Sequence, residues 1–211
     1  MKASGLYAIV DQAISSAHSW DPFRLAETYL AGGAKLIQLR MPLADSGSFL
    51  RLCDQVVAAA EPFDATVIVN DRADLALISG AHGVHVGQSD MSVQAIRGLL
   101  PDGSIVGLST HNLSQINETA RGELSYVAVG PVFETKTKKT GFTAKGLELV
   151  KSAVDRQVRP VFAIGGITLD RVPEIIKAGA AGVAVISDLL CGNQPERRVR
   201  DYLDCLEDSA K

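Results

Sequence analysis

The chain has 211 residues, enough for one domain with a sizeable core. A net charge of −3 gives no electrostatic case for a nucleic-acid partner, and no apolar run approaches the roughly 18 residues of a membrane helix. The opening Met1-Lys2-Ala3-Ser4-Gly5 has neither the apolar stretch nor the cleavage site of a signal peptide, and the three cysteines (Cys53, Cys191, Cys205) form no metal spacing and no disulfide framework. A cytoplasmic protein with packed or surface thiols is the expectation.

Taken in order, short apolar runs alternate with amphipathic stretches. A strand over 6–10 is followed by a helix over 23–31, a strand over 36–39 and a helix over 49–60. Next come a strand over 66–69, a short helix over 71–78 and a strand over 83–86. Ser92 is placed to cap a helix over 93–100, before a strand over 105–108 and a helix over 113–120. A strand over 126–129, a helix over 146–155 and a strand over 161–164 follow. Thr168 is placed to cap a helix over 170–178, then a strand covers 182–185, and a last helix runs from Pro195 or Glu196 to Leu206. The eight strands are apolar on both faces, as strands covered by helices in a parallel sheet must be. Ala31-Gly32-Gly33-Ala34, Ser79-Gly80-Ala81-His82-Gly83 and Ala178-Gly179-Ala180-Ala181-Gly182 repeat one helix-to-strand joint, in which glycine can take the left-handed helix stop. With no linker or low-complexity segment, this pattern predicts a single domain over residues 1–211. Its expected fold is a parallel eight-stranded (β/α)8 TIM barrel.

In such a barrel the ligand site lies at the C-terminal ends of the strands, so the residues following each apolar run are the candidates. Gly165-Gly166 after the seventh strand and Ile186-Ser187 after the eighth offer bare backbone N–H groups to a phosphate; the alternative is a plain tight turn. Asp71 and Asp90 stand at the mouths of neighbouring strands beside Asn70 and Gln88. Two carboxylates there suit Mg²⁺, which completes its shell with water and phosphate oxygens; alternatively each aspartate caps a local turn or helix. Thr135-Lys136-Thr137-Lys138-Lys139-Thr140-Gly141 reads as a cationic loop over an anionic ligand, or as a solvated basic loop. His85, inside the fourth strand, reads as a hydrogen-bonded core residue, and His111 as a helix cap or pocket wall.

The runs Gln38-Leu39-Arg40, Asn70-Asp71, Gly83-Val84-His85-Val86-Gly87-Gln88-Ser89-Asp90, Gly107-Leu108-Ser109, Gly130-Pro131-Val132-Phe133-Glu134-Thr135-Lys136-Thr137-Lys138, Ala163-Ile164-Gly165-Gly166-Ile167 and Val185-Ile186-Ser187 together resemble the thiamine phosphate synthase family. The resemblance runs from the first strand to the eighth. It implies a transferase that joins an aminopyrimidine, 4-amino-2-methyl-5-(diphosphooxymethyl)pyrimidine, to a thiazole phosphate, releasing pyrophosphate. It also implies Mg²⁺ on Asp71 and Asp90. Gln38, Arg40, Asn70, Ser109 and Lys138 then meet the pyrimidine diphosphate, with Arg40, Ser109 and Lys138 as the catalytic set. Thr135, Thr137, Gly166, Ile186 and Ser187 meet the thiazole phosphate. The partners implied are two phosphorylated small molecules, with no nucleic acid or membrane, and a homodimer is the common assembly of such barrels. One departure stands out: Met41-Pro42 replaces the acidic residue and lysine that usually follow Gln-Leu-Arg.

Other readings compete. A thiazole tautomerase-like isomerase shares the phosphate site but generally lacks the paired aspartates and carries a histidine where this chain has Pro131. A non-catalytic ligand-binding or regulatory homologue would have kept the barrel and lost turnover, and Pro42 is its support. An unrelated phosphate-barrel enzyme would need a strand-end base that is not evident.

Overall fold

In the computed structural model, residues 5–119, 123–135, 143–157 and 159–211 are described. Eight parallel strands close into a barrel in the order β1 to β8, each paired with its neighbours in sequence and β8 with β1. The strands are β1 (Gly5–Asp11), β2 (Leu36–Arg40), β3 (Thr66–Asn70), β4 (Gly83–Val86), β5 (Ile105–Thr110), β6 (Tyr126–Val129), β7 (Val161–Ile164) and β8 (Gly182–Val185). The expected barrel is therefore present. β4, β6, β7 and β8 coincide with the apolar runs. β1, β2, β3 and β5 continue past theirs into Asp11, Arg40, Asn70 and Thr110, because ladder pairing does not stop where the apolar residues do.

The helices are α1 (Gln12–Ala17), α2 (Pro22–Ala31), α3 (Ser46–Ala60), α4 (Ala73–Ser79), α5 (Val93–Leu99), α6 (Leu113–Thr119), α7 (Gly146–Arg156), α8 (Val172–Lys177) and α9 (Pro195–Ser209). Three-residue 3₁₀ turns cover Glu61–Phe63 and Leu169–Arg171, and a longer one, interrupted at Cys191 and Gly192, covers Ser187–Asn193. Ser92 caps α5 as expected, its hydroxyl accepting from the Ala95 N–H. Two expectations need correction. The short helix after β3 starts at Ala73 and not at Asp71, since Asp71 has φ +62°, outside the helical region. The helix expected over 170–178 divides into a 3₁₀ turn and α8, with Pro173 in the first turn of α8, where its missing N–H costs nothing. Thr168 occupies the cap position of that 3₁₀ turn without a side-chain capping bond. All three glycine joints behave as expected, with φ of +100° at Gly33, +68° at Gly80 and +94° at Gly179.

Strand alternation sorts the side chains into two layers. Ala8, Val10, Ile37, Leu39, Val67, Val69, Val84, Val86 and their equivalents pack outward under the helices. Tyr7, Ile9, Leu36, Ile68, Tyr126, Phe162 and Ala184 point inward and fill the barrel. The inner layer is unusual in carrying polar heads, and one glycine makes this possible. Gly107 of β5 pairs with Tyr126 of β6, and a Cβ at 107 would lie 2.1 Å from the Tyr126 ring. Without that side chain, the Tyr126 ring crosses the interior and meets Tyr7 edge-on at 5.6 Å and Phe162 at 5.4 Å between centroids.

Candidate active site

On one side of the barrel mouth, Gly165 (φ +100°) and Gly166 (φ +63°) follow β7. A Cβ at Gly165 would lie 2.6 Å from Pro131 Cα, and one at Gly166 2.3 Å from the Glu134 carbonyl oxygen, so backbone angle and space both demand glycine. The close approach comes from the loop after β6, whose Val132 and Phe133 N–H groups donate to the Ile164 (2.9 Å) and Gly165 (3.0 Å) carbonyls. Arg171 locks this corner. Its guanidinium donates to the Gly166 carbonyl at 2.5 Å and lies 4.3 Å over the Phe133 ring. Ser187 opens the 3₁₀ turn after β8, and the next residue, Asp188, accepts from Tyr202 (2.6 Å) and Arg198 (2.7 Å) of α9. Thr135, Gly166, Ile186 and Ser187 thus line one pocket, with Ser109 and His111 on its far wall. His111 Nδ1 donates to the Gly130 carbonyl at 2.6 Å, so its place is the pocket wall.

The other side of the mouth collects charge after β1 to β4. Arg40 donates to Asp11 Oδ2 at 2.5 Å, and Oδ1 of the same buried carboxylate caps α1 through the Ala13 and Ile14 N–H groups. Asp71 and Asp90 are both exposed at the ends of neighbouring strands. The Asp71 N–H donates to the His85 carbonyl at 2.8 Å, and Asp90 Oδ2 accepts the Gly87 N–H at 2.7 Å. Neither aspartate holds a helix cap position, since Arg72 holds that of α4 and Ser92 caps α5; the Asp90 bond to the Gly87 N–H closes a local turn. Among the described residues no group of three or more His, Cys, Asp or Glu forms a metal cage. Two hard oxygen donors on adjacent strands fit an ion that draws its remaining ligands from water and phosphate, which is the habit of Mg²⁺.

Between the two sides, the inner layer rises to the mouth. Gln38 Nε2 donates to the Tyr7 hydroxyl at 2.7 Å, and His85 Nε2 meets Ser109 Oγ at 2.8 Å. His85 is therefore the hydrogen-bonded core residue expected. Burial holds the Tyr7 and Tyr126 phenols well above the usual tyrosine range, outweighing the hydrogen bonds that reach Tyr7. Gln88 braces the rim by donating to the Ser109 carbonyl at 2.6 Å.

Of the residues expected at the site, Ser109, Thr135, Gly166, Ile186 and Ser187 share one pocket. Gln38, Arg40, Asn70, Asp71 and Asp90 stand along the ends of β2 to β4 and the loops that follow. Thr137 and Lys138, with Lys136 and Lys139, lie outside the described residues. Three participants escaped the sequence reading. Asp11 had a legible signal, a carboxylate directly after the apolar run of β1. Arg171 and Asp188 act only through the fold, and no local pattern marks them.

A closed parallel barrel with a glycine-built corner after β7 and β8 and a second, acidic and basic rim after β1 to β4 defines a TIM barrel whose polar groups gather at the C-terminal mouth, where enzymes of this fold place their active sites. A family model described as thiamine monophosphate synthase matches residues 6–189. The chain is 35% identical over 202 residues to the thiamine-phosphate synthase of Methanospirillum hungatei, covering 96% of this chain and 97% of that one. It is 36% identical over 211 residues to that of Koribacter versatilis, covering 98% and 97%. The solved thiamine phosphate pyrophosphorylase of Pyrococcus furiosus superposes with a TM-score of 0.90 at 28% identity, covering 100% of this chain and 98% of that one. The chain belongs to the thiamine monophosphate synthase family, and its activity is that of a transferase, a thiamine-phosphate synthase.

Proposed function

We propose that the two sides of the mouth hold the two substrates of that activity. The glycine corner with Thr135, Ile186 and Ser187 takes the thiazole phosphate, and Gln38, Arg40, Asn70 and Ser109 take the pyrimidine diphosphate. The observation that carries this reading is the separation of a phosphate corner from a rim bearing Asp71, Asp90 and Arg40. Thr137 is assigned by the same reading to the thiazole phosphate and Lys138 to the pyrimidine diphosphate. Asp71 and Asp90 would hold Mg²⁺, which when bound neutralises charge gathering on the departing pyrophosphate.

The reaction breaks the bond between the pyrimidine methylene carbon and the diphosphate oxygen, and both electrons leave with the pyrophosphate. The resulting pyrimidinylmethyl cation is captured by the lone pair of the thiazole nitrogen. No proton moves, so no general base is needed. The residues bind, orient and exclude water, which would otherwise trap the cation. Arg40 meets the developing charge with the guanidinium donors not used on Asp11.

We also propose that residues 1–211 form one domain, that the protein is cytoplasmic and homodimeric, and that it has no nucleic-acid or membrane partner. The net charge of −3 supports the lack of a nucleic-acid partner, and no described helix is long and apolar enough to cross a membrane. Sedimentation velocity checks the dimer.

The deciding experiment is pyrophosphate release from both substrates across a Mg²⁺ titration, with wild type and Asp71→Asn. Asparagine tolerates the left-handed backbone at 71, so the change removes charge without adding strain. At least a roughly hundredfold loss of kcat/KM and a higher Mg²⁺ requirement are expected. Unchanged activity in the variant removes the metal assignment.

A further inference from the structure

A continuous row of hydrogen bonds crosses the barrel interior. Gln38 Nε2 donates to Tyr7 Oη at 2.7 Å, and Tyr7 Oη meets Tyr126 Oη at 2.7 Å. Tyr126 Oη meets His85 Nδ1 at 2.9 Å, and His85 Nε2 meets Ser109 Oγ at 2.8 Å. The row draws one residue from each of β2, β1, β6, β4 and β5. Its two ends are the side chains assigned above to the pyrimidine. Its three middle members have no part in that assignment.

The row has a direction. Each hydroxyl has a single proton to give. Tyr7 receives from Gln38, so its proton goes to Tyr126. Tyr126 in turn donates to His85 Nδ1, which must then be the bare nitrogen. A neutral imidazole with a bare Nδ1 carries its proton on Nε2 and donates it to Ser109 Oγ. Ser109 is left with its own hydroxyl proton to offer, and Gln38 with its amide oxygen and its second amide N–H. In the opposite order, with Tyr126 giving to Tyr7 and His85 Nδ1–H giving to Tyr126, Tyr7 would accept twice and its buried proton would have no acceptor in the row, which disfavours that order. The buried phenols also keep their protons, so the row is not broken by ionisation.

We propose that Tyr7, Tyr126 and His85 are positioning residues that fix this direction, so that the site presents an acceptor at Gln38 and a donor at Ser109 and thereby selects an aminopyrimidine over its oxo analogue. An amino group gives a hydrogen to Gln38, and an unprotonated ring nitrogen takes the Ser109 proton. In the oxo analogue a carbonyl faces the Gln38 amide oxygen and an N–H faces the Ser109 proton, so both contacts are opposed at the atoms that hold the amino form. A buried polar mismatch of this kind discriminates by at least about a hundredfold in kcat/KM. The inference rests on the functional reading above and adds the source of its selectivity.

Tyr126→Phe keeps the ring and removes the hydroxyl at the middle of the row. The variant is compared with wild type on the aminopyrimidine diphosphate and its oxo analogue. The KM for the amino substrate is expected to rise about tenfold while the KM for the thiazole phosphate stays unchanged. The preference for amino over oxo should fall below about tenfold. Nitrogen-15 NMR of ligand-free wild type, with the His85 signals assigned by their loss in His85→Gln, should show the proton on Nε2 and none on Nδ1. A proton on Nδ1, or full amino preference in folded Tyr126→Phe, overturns the proposal. If wild type releases no pyrophosphate from either pyrimidine, the functional reading fails, and the histidine spectrum still decides the direction of the row. If Tyr126→Phe does not fold, the same spectrum decides alone.

Discussion

Asp11 and Arg40 are register partners at the ends of β1 and β2, and their side chains meet at 2.5 Å with the carboxylate buried. The same carboxylate caps α1, so one side chain ties two strands and a helix to the residue assigned to the diphosphate. Removing it as Asp11→Ala abolishes the cap and leaves a half-buried guanidinium without its partner. A loss of about 2–4 kcal/mol is expected. Asp11→Asn keeps the cap and should lose about half as much. Thermal unfolding followed by circular dichroism measures both. The KM for the pyrimidine diphosphate should rise about tenfold in the alanine variant, because Arg40 is no longer held.

Two glycines make a controlled pair. Gly166 has φ +63° and a carbonyl oxygen 2.3 Å from where a Cβ would sit, whereas Gly98 in α5 has open space there. Gly166→Ala should cost at least about 1–2 kcal/mol and raise the KM for the thiazole phosphate at least tenfold. Gly98→Ala should stabilise by about 0.5–1 kcal/mol and leave kinetics alone. Equal effects from the two substitutions would contradict the phosphate corner.

The chain has four tyrosines, and Tyr7, Tyr29, Tyr126 and Tyr202 are all buried, with burial raising each phenol above its ordinary value. The folded state therefore keeps protons that the unfolded chain releases near pH 10. Stability from this source is complete below about pH 10 and falls as pH rises toward the higher folded values, by about 1.4 kcal/mol per pH unit for each tyrosine and about 5 kcal/mol for four. Alkaline unfolding should be steep, and tyrosinate absorbance should appear only together with loss of circular dichroism. Tyrosinate forming in a folded protein near pH 10 would contradict this.

Pro42 is exposed in a turn closed by the Ala44 N–H on the Met41 carbonyl at 3.3 Å. Proline suits such a turn, but it stands where the family resemblance leads one to expect a lysine on the second rim. Pro42→Lys should cost no more than about 1 kcal/mol and lower the KM for the pyrimidine diphosphate by roughly threefold to tenfold, with a stronger dependence on salt. An unchanged KM would mean that Arg40 and the loop lysines already saturate that demand.

The barrel was legible because Val- and Ile-rich runs mark strands buried on both faces, and because Gly33, Gly80 and Gly179 mark the returns. The glycine corner and the two aspartates were legible as unusual residues directly after those runs. What escaped has a common cause. α1 begins directly after Asp11, the last residue of β1, leaving no loop to announce it. Arg171 and Asp188 gain their roles from elements brought together only by closure, the 3₁₀ turn before α8 against the β6 loop and α9 against the turn after β8. Tyr7 and Tyr126 read as ordinary strand aromatics, since nothing local shows that their hydroxyls meet.

The space that Gly107 leaves for the Tyr126 ring ties the history of two positions together. Neither can change first without harm: a methyl at 107 strikes the ring, and a small residue at 126 leaves a hole between Tyr7 and Phe162. Across descendants of this lineage, positions 107 and 126 should therefore be inherited as a pair, with any side chain at 107 accompanied by a shortened one at 126.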